Sequence, residues 1–264
     1  MAITAISPPS PGPADPVARR RDRRLRAAVA ASLAALTALA WIALIPLGRA
    51  TMPGMAMAPG PVDLAVGFLM WAAMMPGMML PGAAPMTWTV ARIHAARAPG
   101  REAGLTSAAF VAGYLLVWTG FAALAAGAQW GLARAGLAAG MGGAVGRGLG
   151  ATIFLAAGLY QVSPLKRACL GACRSPLGFL LSQWREGASG ALRMGLRHGA
   201  VCLGCCWALM ALLFAVGAMN LVWVAGLGML VLIEKLAPRG EAVARAGGIA
   251  LIAAGIALAA GVAG

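Results

Sequence analysis

Long apolar runs separated by short charged breaks set the pattern of this chain. Seven runs stand out, at residues 27–47, 63–89, 105–127, 144–162, 199–217, 221–236 and 246–263. An α-helix of about 20 apolar residues crosses the ~30 Å hydrocarbon core of a bilayer. A membrane β-barrel needs short segments of alternating hydrophobicity, and these are missing. The pattern predicts an all-α, polytopic transmembrane bundle of about seven spans. Residues 27–264 form its single helical domain, in contact with lipid.

Composition strengthens this picture. The chain is 61% hydrophobic and 11% charged, against about 45–50% and 25% in soluble domains. The formal net charge of +14 would suit nucleic acid, but the charges flank apolar runs, so no nucleic-acid partner is expected. Of the 21 Lys and Arg residues, 18 fall in residues 1–26 and in the breaks at 90–104, 163–198 and 235–245. Positive charge marks the cytoplasmic side. The N-terminus is therefore expected inside and the C-terminus in the periplasm. Residues 1–26, Pro-rich then Arg-rich, read as a disordered basic cytoplasmic tail. The first run is too long for a signal-peptide core and reads as an uncleaved helix.

The second run carries Met70, Met74, Met75, Met78 and Met79 together with Pro76, Pro81 and Pro85. Each proline removes a backbone donor and crowds the preceding turn. A kinked or partly unwound span is expected. Such backbone is tolerated at membrane depth only within protein or beside a cavity. The loop before it holds Met52, Met55 and Met57.

The chemistry concentrates at residues 198–210. His198, Cys202, Cys205, Cys206 and Met210 lie three or four residues apart, the spacing that shares a helix face. Cys169 and Cys173 form a second pair in the long loop at 163–198. Thiolates and thioethers suit Cu(I), and Cys with His also suits Zn(II). If the fifth helix starts near Gly199, Cys205 and Cys206 lie ~9–10 Å into it, roughly level with Met78 and Met79. Stacked beside the second helix, the sulfurs would form a ladder from the Met52 loop to the cysteines. All five cysteines fall toward the reducing side, where metal or redox chemistry is favoured over structural disulfides.

Plainer readings stand beside these. Met fills gaps in apolar cores, and a buried Cys behaves as a small hydrophobe. His198 reads equally as an interfacial basic residue. Glu234 and Lys235 read as snorkelling or paired side chains at a helix end. Two His, both at one edge, cannot build a bis-His haem within the bilayer. No phosphate-binding loop, nucleophile elbow or His-Glu-x-x-His pattern occurs, and a non-enzymatic role is expected.

Several motifs carry a resemblance. Trp71-Ala-Ala-Met74-Met75-Pro76, Gly113-Tyr114-x3-Trp118, Tyr160-Gln161-x2-Pro164-Leu165-Lys166-x2-Cys169, Cys173-Arg174-x-Pro176, Gly204-Cys205-Cys206-Trp207-x2-Met210, Met219-Asn220 and Glu234-Lys235 resemble the bacterial family described as predicted metal-binding integral membrane proteins, the domain-of-unknown-function 2182 family. The resemblance spans about residues 63–237. It implies a multi-pass bacterial inner-membrane protein connected with copper.

The combined expectation is a soft-metal protein, with Cu(I) favoured over zinc, that moves the ion or hands it on. Its inner site would comprise Cys169, Cys173, Cys202, Cys205, Cys206 and His198. Met70, Met74, Met75, Met78, Met79 and Met210 would form the passage. A metallochaperone or membrane protein would be its partner. A membrane thiol relay and a non-catalytic anchoring subunit are the alternatives.

Overall fold

A computed structural model describes residues 16–50, 60–97, 101–139 and 143–261. Among these the protein is all-helical, with one isolated bridge between Ala138 and Val145. The helices are α1 (Pro16–Ala50), α2 (Pro61–Arg97), α3 (Arg101–Arg134), α4 (Arg147–Val162), α5 (Pro164–Cys173), α6 (Pro176–Gln183), α7 (Gly187–Val216), α8 (Leu221–Leu236) and α9 (Gly240–Ala260). Five of them (α1, α2, α3, α7 and α9) are long and apolar enough to cross a membrane. The pair α4 and α5, bent by 65° at Ser163, makes a sixth if taken as one broken span. Helix α8 has 16 residues, about 24 Å at 1.5 Å per residue.

Three expectations change. Residues 16–26 are the first turns of α1 rather than tail. The presumed loop at 163–198 is mostly helix: α5, α6 and the start of α7. Helix α2 runs unbroken through Pro76, Pro81 and Pro85. Neighbouring groups explain its tolerance. Pro81 cannot donate to the carbonyl of Gly77, and the Trp41 indole Nε1 of α1 donates to it instead, at 3.3 Å.

The bend between α4 and α5 follows from its sequence. Pro164 starts α5, where a missing N–H costs nothing. Ser163 caps it by accepting from the Lys166 backbone N–H at 3.1 Å. Asn220 caps α8 in the same way, accepting from Val222 and Trp223.

Helix α3 packs on α7, α4 on α9, and α2 on both α1 and α3. Glycine allows the closest of these approaches. A Cβ at Gly113 or Gly195 would collide with backbone atoms of Leu192 and Leu196, or of Phe110. Small residues of this kind let membrane helices meet backbone to backbone. This crossing brings Tyr114 of α3 against Cys202 of α7. Large apolar side chains such as Leu39, Ile42, Leu124, Leu159 and Val222 remain exposed on the outside, as a lipid-facing surface requires.

Gly195→Ala is expected to lower stability by about 1–3 kcal/mol through overpacking, read as earlier thermal unfolding in detergent. Gly120→Ala, which meets nothing within 4 Å, is the control and should leave the transition in place.

Candidate metal centre

Four thiols and one thioether converge at the middle of the bundle. Met79 is the central residue of α2. Helix α7 starts twelve residues before the predicted span, so Cys202 lies mid-helix, ~22 Å from its first residue. Cys206 Sγ lies 3.8 Å from Met79 Sδ, which agrees with the predicted level of those two residues. The Cys205 and Cys206 thiols donate to the Cys202 carbonyl one turn back, at 3.1 and 2.8 Å. Cys173, brought in by the bend before α5, faces Cys202 and Cys205. Cys202, Cys205 and Cys206 are at most 1% exposed and Cys173 is 8% exposed. Cys169, half-buried, lies over Gly204.

Two residues outside the predicted set complete the site. Lys235 Nζ lies 2.8 Å from Cys202 Sγ and 4.0 Å from Met79 Sδ. The lysine stem passes over Gly82, where a Cβ would come within 2.8 Å of Lys235 Cδ. Tyr114 Oη lies 3.0 Å from Cys202 Sγ and donates to the Met79 carbonyl at 3.1 Å. Lys235 therefore does not snorkel. The residue is 6% exposed, and its ammonium points into the sulfurs.

Its neighbour Glu234 is 1% exposed and is committed elsewhere. One carboxylate oxygen accepts from Lys166 Nζ and the other from Gln161 Nε2, both at 2.6 Å. Arg174 donates to the backbone carbonyls of Glu234 and Ala237 at 2.6 Å. These bonds tie the α4–α5 bend to the end of α8 and set where Lys235 begins. Position in the sequence hid them, because Lys166 and Glu234 are 68 residues apart.

The other predicted residues divide. His198 is buried, but its ring is enclosed by Phe110, Tyr114 and Phe179 at 5.9, 5.7 and 5.5 Å between centroids. Its Nδ1 finds no hydrogen-bond partner among the described residues. Met70, Met74, Met75 and Met210 are fully buried in the core around the cysteines. Met78 packs on Gly228 of α8. Met52, Met55 and Met57 lie outside the described residues. Among the described residues, no three His, Cys, Asp or Glu side chains form a ready-made ion site. The thiols of Cys205 and Cys206 are spent on a carbonyl, and the cation nearest Cys202 is a lysine.

The donor set nonetheless has a clear preference. Thiols and a thioether are soft ligands, matched to Cu(I). A closed zinc site takes four Cys or His ligands in a tetrahedron, and the one histidine nearby is held in an aromatic cage.

A family model described as PpoB2, copper chaperone, matches residues 68–258. The chain belongs to this family. The matched stretch contains all the predicted sulfurs from Met70 to Met210, and also Tyr114, Lys166, Glu234 and Lys235. The family is copper-related, in line with the soft donors. No curated protein and no solved structure matches.

Removing one member of the buried ion pair leaves the other charge unpaired, at a cost of about 3–5 kcal/mol. Lys166→Met and Glu234→Leu should each destabilise the protein strongly in detergent melting experiments. The double variant should recover much of the loss; two additive losses would show that the pair is not coupled.

Proposed function

We propose that this protein is a multi-pass bacterial inner-membrane protein that takes up Cu(I) on its central sulfurs and hands it on across the membrane. The observation that carries the reading is the convergence of Cys173, Cys202, Cys205, Cys206 and Met79 at a buried point in a copper-chaperone family member. Family membership supports the metal; the long apolar helices support the location. In this reading α8 also spans, giving seven spans with the N-terminus inside.

The residues take distinct parts. Cys202 binds as a thiolate, with Lys235 as its counter-charge, and the Tyr114 hydroxyl, 3.0 Å away, turns from the Met79 carbonyl to donate to it. Cys205 and Cys206 release the Cys202 carbonyl and turn their sulfurs to the ion. Met79 supplies a neutral thioether, which binds Cu(I) without adding charge to a buried site. Cys169, half-exposed beside Cys205, is where the ion changes hands with a metallochaperone-type partner. The buried Met70, Met74, Met75, Met78 and Met210 line a soft path away from the thiols. Weak thioether ligands at successive heights suit passage, since each must release what it binds. Copper is cargo here, and no catalytic step is assigned.

Protein purified without oxygen should hold near-stoichiometric copper by elemental mass spectrometry, and the Cys205→Ser/Cys206→Ser variant should lose most of it. Unchanged copper in that variant, or zinc in place of copper in the wild type, would overturn the assignment. Met79→Leu keeps the volume and removes the sulfur. It should lose copper to a Cu(I) chelator at lower chelator concentration than the wild type, with little change in melting temperature.

A further inference from the structure

A cavity of about 780 Å³ runs between α1, α2 and α3, well away from the sulfur cluster. Helix α1 packs on α2, and α2 packs on α3. Leu25, Val29, Leu33 and Leu36 of α1 form one wall of the resulting groove, and Ala108 and Leu115 lie on the α3 wall. Along α1 it extends from Arg21 to Leu36, ~22 Å, longer than the ~15 Å hydrocarbon thickness of one leaflet.

The groove has two unlike ends. Its body is apolar, and the hydroxyls of Thr87 and Ser107 are spent on carbonyls of their own helices at 3.0 and 2.7 Å. One end carries Arg21 and Arg24. Arg21 donates to the Ala95 carbonyl at 2.7 Å, which anchors its guanidinium at the mouth with further N–H groups to offer. Arg24 is exposed and makes no hydrogen bond or ion pair among the described residues. Arg26 and Arg92 lie over Trp88 instead. The acid closest in sequence to these arginines, Asp22, is paired with Arg92 at 3.5 Å. Among the described residues no carboxylate pairs with Arg21 or Arg24, so the mouth carries unpaired positive charge.

We infer that this groove is a binding site for one anionic phospholipid, with the phosphate at Arg21 and Arg24 and an acyl chain along α1 and α3. The planar guanidinium fork matches phosphate oxygens. The charged mouth and the apolar body match the two parts of a phospholipid, its headgroup and its acyl chain. Uncharged lipid would fill the apolar part and leave the arginines unanswered.

Delipidated full-length protein would be placed in vesicles of phosphatidylcholine with or without phosphatidylglycerol, re-extracted in detergent, and its bound lipid counted by native mass spectrometry. The expected result is retention of one phosphatidylglycerol in preference to phosphatidylcholine. Arg24→Ala, at an exposed position, should lower retention roughly fivefold. Ala108→Phe, which fills the groove, should abolish it while helix content by circular dichroism stays unchanged. Equal retention of the two lipids, or wild-type retention in both variants, would overturn the proposal. So would displacement of the lipid by inorganic phosphate alone, which would make the arginines a free-anion site, or a dimer that forms through the groove. None of these readouts depends on copper.

Discussion

A lysine ammonium buried among sulfurs is the constraint on which the centre of this protein depends. Burying a charge costs several kcal/mol unless a partner answers it. Two lysines, Lys166 and Lys235, are buried in the bundle, and among the described residues Glu234 is the one buried carboxylate. That carboxylate is held on both oxygens by Lys166 and Gln161. The group nearest Lys235 is the Cys202 sulfur, at 2.8 Å. The cysteine and lysine answer each other, and the tyrosine hydroxyl completes the set. Lys235 thus stands as the counter-charge to the Cys202 sulfur inside the bundle.

Reaching that arrangement requires helices to come unusually close. The α3–α7 crossing rests on Gly113 and Gly195 facing backbone atoms, and it puts Tyr114 within hydrogen-bonding distance of Cys202. Gly82 leaves room for the lysine stem on α2. The bend at Ser163 and Pro164 swings Cys169 and Cys173 back onto α7. Each device sacrifices a side chain or a backbone donor locally, and each places a functional atom that no single helix could place alone. The same economy works outside the core, where Trp41 of α1 satisfies the carbonyl that Pro81 leaves free.

The two sites have opposite characters. The sulfur centre is enclosed and soft, with Lys235 held beside Cys202 by an interhelical network. The groove on the α1 side is open and hydrocarbon-lined, with hard cationic groups at one end. The groove and the sulfur centre share two helices: α2 borders the groove at Thr87 and Ala91 and carries Met79 at its centre, and α3 borders it at Ala108 and Leu115 and packs on α7.

Much of this was legible in the sequence, for physical reasons. Apolar runs of bilayer length dictate helices whatever their neighbours, because a backbone in lipid must satisfy itself. Residue softness is a property of sulfur, so a preference for soft metals could be expected from the clustering of Cys and Met, and the family is copper-related. The level of Met79 with Cys206 followed from the 1.5 Å helical rise. Three things depended on tertiary structure. Proline's cost in α2 depended on a tryptophan from another helix. Whether His198 faced sulfur or aromatic rings depended on the rotation of α7 against α3. The fates of Glu234 and Lys235, adjacent in sequence yet paired to different helices, were set by the α4–α5 bend. Local pattern determines which segments are helices and which elements they carry; only packing decides which buried charge meets which partner.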